Sequence, residues 1–447
     1  MHVIVVGAGE VGSYVAERLS RQGIDVAVIE TDAHQLHILE ESFDVLTVRG
    51  SGTHPGVLAE AGAARADLLV AVSNDDEVNL VSSLVAKQAG VPRTLVRLEA
   101  SQLRGPEAAE LRAAMGADLV IDPDEEAAKD ILELLELPGA SEVEVLAQGE
   151  VIIVGARLRP DSPLVGRTLL EVAEAHEPHW EFLFGTITRD GETSIPRGNH
   201  QLREDDSVRV LCKRDARYKL MGLLGLTDRK PRKVLLLGGG RTAELVAEPL
   251  VRRGAEVMII ERDHRRAQEL AERLHGVTVL EGEITDGEVL IEAEVGSFDA
   301  VAALTGADDA NIISCLFAKA KGARETLTVA HRLELLDLLG KAGIDAALSP
   351  RTATADRVLR LVRGEIAGVA TFLEGSVEIL EFEVAEGSPA DGAVVARMRL
   401  PADVLLGAIV RDGTTEIARG RSELRAGDHA VVFAMSSAVD DIARLFA

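Results

Sequence analysis

The stretch Val3-Ile4-Val5-Val6-Gly7-Ala8-Gly9-Glu10-Val11-Gly12 decides how the rest of the chain is read. Its first four residues form the short β-rich apolar run of a buried parallel strand. A Gly-x-Gly-x-x-Gly loop follows at once and opens a helix-period stretch over about Val11–Gln22. In such a loop the first glycine permits a tight turn. The second lets backbone N–H groups approach a pyrophosphate, and the third allows close helix–strand packing. The helix N-terminus adds partial positive charge and free donors for the anion. A second run, Val26–Ile29, leads into Glu30, which stands about 20 residues on, where a carboxylate accepts from ribose hydroxyls and repels a 2′-phosphate. The spacing predicts NAD or another adenosine nucleotide rather than NADP. The alternative is a glycine turn used only for packing, with Glu30 solvated.

The same stretch recurs. Val234-Leu235-Leu236-Leu237-Gly238-Gly239-Gly240-Arg241-Thr242-Ala243 lies 231 residues downstream, and Ile259-Ile260-Glu261 answers Val28-Ile29-Glu30 at that offset. Asp67, Ser73, Asn79, Gly90 and Thr94 answer Asp299, Thr305, Asn311, Gly322 and Thr326 at 232. Beyond the glycine-rich unit, Ser162-Pro163 answers Ser388-Pro389 at 226, and Arg189-Asp190-Gly191 answers Arg411-Asp412-Gly413 at 222. A steady offset with small gaps signals duplication. The repeating unit is a long glycine-rich domain plus a short second domain. The predicted domains are 1–140, 141–226, 232–365 and 366–447, separated midway by the polar linker Leu226-Thr227-Asp228-Arg229-Lys230-Pro231-Arg232.

In the first long domain, strands are expected at Val3–Val6, Val26–Ile29, Val45–Val48, Leu68–Val72, Leu95–Arg97 and Leu119–Ile121, with helices between them. That alternation predicts an α/β fold, a Rossmann-like doubly wound parallel sheet. A helix over Asp124–Leu137 then carries the chain out of the sheet and stops at Pro138-Gly139. The short domain reads as α+β, with strands at Val151–Arg159, Phe182–Arg189, Glu192–Ile195 and Ser207–Lys213 and a helix at Thr168–His176. Asp190-Gly191 marks a hairpin turn.

Ligands in open α/β sheets sit outside the carboxyl ends of the strands. Ser73 and Asn74 follow the fourth strand and Arg97 ends the fifth, so all three are candidates for ribose or phosphate contact. Strand-end capping and a surface ion pair are the competing readings. In the second copy Gly238, Gly240 and Glu261 stand, Ala243 takes the third glycine's place, and Thr305 answers Ser73. Asn74 gives way to Gly306 and Arg97 to Val329, leaving Arg241 as the cation in the loop.

The remaining features narrow the function classes. The chain has 447 residues, 47% of them apolar, enough for packed cores. Acids outnumber bases 74 to 48, a net charge of −26, and a field of that sign repels nucleic-acid phosphates and anionic lipid. Cys212 and Cys315 are too few for a disulfide framework or a cysteine zinc site. No run reaches the ~18 apolar residues of a membrane span, and the N-terminus enters a strand without the basic leader of a signal peptide. His34, His176, His179, His200 and His331 follow no metal-ligand spacing, and Trp180 reads as core. There is no Gly-Lys-Ser/Thr phosphate loop and no acid–base constellation repeated at matching places.

The tandem order of glycine-loop domain and small α+β domain resembles the RCK regulators, the regulators of potassium conductance, over residues 1–447. The resemblance implies a non-enzymatic protein of RCK-N and RCK-C domains that binds NAD or NADH, and adenine nucleotides such as ATP and ADP. It implies a first site at Gly7, Ala8, Gly9, Glu10, Val11, Gly12, Glu30, Ser73, Asn74 and Arg97. The second comprises Gly238, Gly239, Gly240, Arg241, Thr242, Glu261 and Thr305. It implies a homo-oligomeric ring, a tetramer, on the cytoplasmic face of the membrane, gating the potassium-translocating subunit of a Trk-type uptake system. A soluble NAD-dependent oxidoreductase is the competing class, and it would need an acid or base beside the nicotinamide and a substrate domain of its own. For assembly, the helix near Glu77–Ala89 and its counterpart at Ile312-Ile313 and Leu316-Phe317 are apolar enough either to meet a neighbour or to pack on the sheet.

Overall fold

The computed structural model describes residues 1–21, 23–226, 229–350, 352, 358, 366–371 and 377–447. The expected helix end at Gln22, part of the linker at Thr227 and Asp228, and the boundary at 365 lie outside the described residues. The chain divides into two compact units, Met1–Ala127 with 349–362, and Ala128–Leu348 with 363–447.

The first unit holds one six-stranded parallel sheet. Its strands are β1 (His2–Val6), β2 (Asp25–Glu30), β3 (Leu46–Arg49), β4 (Leu68–Ala71), β5 (Arg93–Arg97) and β6 (Leu119–Ile121). Their order is β3-β2-β1-β4-β5-β6, so the chain reverses direction across the sheet between β1 and β4. That reversal opens a crevice at the strand C-termini. Strand β1 is buried along its length because helices cover both faces, which is why it reads as an unbroken apolar run. Helix Glu10–Arg21 buries Val11, Gly12, Val15, Ala16 and Leu19 against it, at the spacing of a single helix face.

The second unit begins inside the helix Pro123–Glu136, which leaves the first sheet. Among the described residues it contains three sheets. The first small sheet comprises β7 (Glu142–Leu146), β8 (Val151–Arg157), β9 (Phe182–Arg189), β10 (Glu192–Ser194) and β11 (Ser207–Lys213), ordered β10-β9-β11-β8-β7 and antiparallel throughout. Strand β7 was not expected from the sequence. Its Glu142-Val143-Glu144 alternation belongs to a short edge strand, half solvated, with little apolar signal. The expected helix runs Leu169–Glu174, shorter at both ends, and Thr168 caps its start in a box with Glu171. Asp190 and Gly191 both have positive φ, 53° and 83°, as the hairpin signal required.

The second parallel sheet comprises β12 (Lys233–Leu237), β13 (Glu256–Glu261), β14 (Val277–Glu281), β15 (Ala300–Ala303), β16 (Glu325–Val329) and β17 (Ala346–Leu348), ordered β14-β13-β12-β15-β16-β17. The duplication extends to register: Val3 pairs with Val26 and Leu68, and Val234 pairs with Val257 and Ala300. The last sheet, β18 (Ile366–Thr371), β19 (Val377–Glu383), β20 (Val404–Arg411), β21 (Thr414–Ile417) and β22 (His429–Met435), is ordered β18-β19-β22-β20-β21.

The two small sheets share a core. Leu146, Val151, Ile153 and Leu211 of one pack with Ile379, Ala408, Val431 and Phe433 of the other. Gly185 and Gly407 permit that approach: a Cβ on Gly185 would overlap the Phe433 ring, and one on Gly407 would stand 2.8 Å from Leu211 Cδ1. The Ala147 amide also donates to Glu381 at 2.9 Å. Trp180 lies partly buried beside this core, with the Arg419 guanidinium 4.3 Å from its ring centroid.

Candidate functional site

In the first unit, Gly7 follows β1 with φ +100°, a left-handed conformation that glycine adopts at little cost. A Cβ there would lie 2.9 Å from the Ser73 backbone. A Cβ on Gly12 would overlap the Gly7 carbonyl, so the third glycine serves helix–loop packing. Gly9 differs: a Cβ there meets nothing within 4 Å. The loop is therefore open on the one side where a pyrophosphate would need to approach. Ala8 and Val11 are buried, whereas Gly9 and Glu10 are exposed.

Glu30 is tied to this loop. Its Oε2 accepts the Ala8 N–H at 2.7 Å. Its Oε1 accepts Thr31 N–H at 2.6 Å, Thr31 Oγ1–H at 2.9 Å and Asp32 N–H at 3.0 Å. Burial pushes the carboxyl upward, but the hydrogen bonds from Ala8, Asp32 and Thr31 outweigh it and hold the acid below its ordinary range. The group is an anion at neutral pH. Oε1 takes three donors and Oε2 one, so Oε2 retains room for a further donor.

Across the crevice, Ser73 and Asn74 follow β4. The Ser73 N–H and Oγ–H both donate to Asn79 Oδ1, at 2.9 and 2.7 Å. Asn79 Nδ2 donates to the carbonyls of Ser73 at 2.9 Å and Arg97 at 3.0 Å. A wholly buried amide thus joins the ends of β4 and β5. Arg97 reaches back to Asn74 Oδ1 at 3.3 Å and pairs with Glu99. Asp76 accepts the N–H groups of Glu99 and Ala100, at 3.0 and 2.8 Å, fixing the loop beyond β5.

The second copy repeats the arrangement. Gly238 has φ +101°, and Gly240 has the open side that Gly9 has. Gly239 N–H donates to Glu261 Oε2 at 2.7 Å, and Asp263 N–H donates to Oε1 at 2.8 Å. Thr305 donates through N–H and Oγ1–H to Asn311 Oδ1, and Asn311 Nδ2 joins the carbonyls of Thr305 and Val329. Asp308 accepts from the amides of His331 and Arg332, both at 2.9 Å, as Asp76 does from its pair.

The copies also differ. Arg241 is the first residue of helix Arg241–Arg252, and Thr242 and Ala243 are buried behind it. Val329 is buried, so nothing replaces Arg97 on β16. Arg266 Nε donates to the Gly239 carbonyl at 3.0 Å and its terminal amine pairs with Glu244. In the first copy the Ser13 hydroxyl does this for the Ala8 carbonyl, at 2.7 Å. A Cβ on Gly239 would overlap Leu270, whereas the first loop carries Ala8 there.

The sequence reading missed Asn79, Asn311, Asp76, Asp308 and Arg266. The first two were visible as a matched polar pair inside an apolar helix. The Arg262-Asp263-His264-Arg265-Arg266 cluster behind Glu261 was visible as charge alone. Among the described residues, no three His, Cys, Asp or Glu side chains are placed to hold a metal, and no helix is long and apolar enough to cross a membrane. Ile313 is 57% exposed, while Ile312, Leu316 and Phe317 pack against their own sheet's core, so that helix buries most of its apolar face internally.

The comparisons agree with this architecture. The TrkA-N domain family matches residues 3–130 and 234–350, and the TrkA-C domain family matches residues 153–225 and 379–447. The chain is 33% identical over 452 residues to the Trk system potassium uptake protein TrkA of Azorhizobium caulinodans, covering 100% of this chain and 98% of that one. It is 34% identical over 453 residues to the protein of the same name from Halomonas elongata, with the same coverage. Among solved structures, the fold resembles a GsuK channel bound to NAD, with a TM-score of 0.61 at 17% identity, covering 100% of this chain and 78% of that one.

Proposed function

The chain belongs to the TrkA family, and from that premise we propose that it is the nucleotide-binding regulatory subunit of a potassium uptake system. One observation carries the reading. Both copies present an acid that is already held by the second residue of an open glycine loop, Ala8 to Glu30 and Gly239 to Glu261. In each crevice the loop amides and helix N-terminus would take the pyrophosphate, and the carboxylate would take the ribose hydroxyls. NAD(H) fits this arrangement, and ATP or ADP would use the same groups. Arg97 and Asn74 would meet the phosphate side of the first site. Arg241 would do so at the second, with Gly238, Gly240, Thr242 and Thr305 shaping the floor.

On this reading the chain performs no chemistry on its ligand. It occupies the cytoplasmic face of the membrane through the potassium-translocating subunit and forms a homo-oligomeric ring, a tetramer, in which the domains 1–140, 141–226, 232–365 and 366–447 repeat. Nucleotide shifts the partner only insofar as it binds two arrangements of the crevice with different affinity.

Calorimetric titration of the full chain with NADH, followed by a turnover assay on the same sample, tests the proposal. Saturable binding without oxidation of NADH over a panel of small substrates is expected. Sustained NADH oxidation with any of them would replace the regulator by an oxidoreductase.

A further inference from the structure

Glu325 is the first residue of β16, at the end of the second parallel sheet away from the glycine loop. It is 4% exposed. Its Oε1 accepts the Gly139 N–H at 3.0 Å, and its Oε2 has no hydrogen-bond partner. Gly139 belongs to the turn that ends helix Pro123–Glu136 and leads into β7, so one carboxyl group holds that connector to the second glycine-loop domain. The charged groups around it are Asp345 just before β17, Lys319 from helix Asp308–Lys321, and Arg159 from the segment after β8. Asp345 is itself held by the Thr326 N–H at 2.8 Å and by Lys319 at 2.5 Å, and Arg159 stands 3.8 Å from it. Next in sequence, Arg324 pairs with Asp299 at 2.9 Å. The carboxyl borders a cleft of about 1160 Å³ also lined by Arg159, by Arg324 and by Arg253, which pairs with Glu136 at 2.7 Å.

An ionised carboxylate in this position is desolvated, has one donor, and faces another carboxylate. A neutral carboxyl keeps the Gly139 bond through its carbonyl oxygen and escapes the repulsion. The duplicated plan has no such acid: the residue 232 positions upstream, at the start of β5, is Arg93.

We propose that Glu325 is a proton-binding site at the base of the second sheet, and that loss of its proton loosens the connector at Gly139, because the ionised carboxyl is then desolvated beside Asp345 with a single donor. Burial, with Asp345 adding to it, pushes the Glu325 carboxyl up to about 7 against the opposing pull of Gly139, Lys319 and Arg159. The switch therefore operates near neutral pH. Because the folded state holds the proton more tightly than the unfolded chain, the stabilisation is complete below the ordinary glutamate range and fades as pH rises toward 7. The inference stands whether or not the crevices bind nucleotide.

Hydrogen exchange on the full chain tests it, read at the segment containing Gly139 and corrected for base-catalysed chemical exchange. Between about pH 6 and pH 8, a span of two units around the site's midpoint, protection there should fall roughly tenfold or more in the natural chain. It should change little in Glu325→Gln, which keeps an acceptor for Gly139 without a titrating proton. Identical profiles for the two chains would overturn the proposal. If Glu325→Gln fails to fold, infrared difference spectra of the natural chain decide. A protonated-carboxyl band that disappears near pH 7 supports the site, and the absence of such a band at pH 6 overturns it.

Discussion

The Ala8 amide donates to Glu30 Oε2 at 2.7 Å, tying the glycine loop after β1 to the last residue of β2. The group that would meet the ribose is thereby fixed relative to the amides that would meet the pyrophosphate, so little ordering is left for the moment of binding. Gly239 and Glu261 stand in the same relation, at the same distance.

Replacing Glu30 by alanine removes an ionised acceptor worth about 1.5–3 kcal/mol in its hydrogen bond to a ribose hydroxyl. The loop and helix N-terminus remain. Affinity for NADH at the first site should fall about tenfold to a hundredfold, measured by calorimetry in a chain that already carries Glu261→Ala. Unchanged affinity would remove Glu30 from the site.

Asn79 makes four hydrogen bonds from a fully buried position, holding Ser73 and the Arg97 carbonyl. Asn79→Leu leaves those backbone groups unpaired and should destabilise the first unit by about 2 kcal/mol or more. Asn311→Leu should do the same in the second. Urea unfolding read by hydrogen exchange in β4 and β15 checks both. A loss confined to nucleotide affinity would instead make these residues ligand contacts.

The glycine loop, the acid at the end of the second strand and the duplication were legible because each is a local pattern or a fixed offset. The doubly wound parallel class followed from the alternation of apolar runs and helix-period stretches, but the order of the strands came only with the structure. What escaped depends on shape rather than pattern. Gly185 reads as an ordinary strand glycine until the Phe433 ring is seen against it, and Arg266 reads as one more surface charge until its bond to the Gly239 carbonyl is seen. Asn79 and Asn311 were visible as a pair, but sequence gives no direction to a buried amide.

The fit between the small sheets gives a separate expectation. Gly185→Val forces the Phe433 ring away in a core where that ring is wholly buried. Overpacking of this kind costs about 1–3 kcal/mol. Thermal unfolding should shift downward, and Phe433→Leu in the same chain should recover part of the loss. If the double variant is no better than the single one, the two sheets do not meet through these residues.

Asp308 supplies a test in acid. Its burial raises the carboxyl's pKa, but donation from His331 and Arg332 more than offsets this, and the group lies below its ordinary range. A lowered folded value means that the stabilisation is present above the ordinary aspartate range and is lost as pH falls through the folded value. Melting curves through the acid range should fall more steeply for the natural chain than for Asp308→Asn. Parallel curves would mean that the loop after β16 is held by other groups.

Potassium flux tests the central claim most directly. A potassium-translocating protein of a Trk-type system would be placed in liposomes, and uptake measured with this chain present or absent, each with and without NADH or ATP. The account predicts that nucleotide changes uptake when the natural chain is present, and that a chain carrying Glu30→Ala and Glu261→Ala responds less. Uptake indifferent to nucleotide in the presence of the natural chain would contradict it.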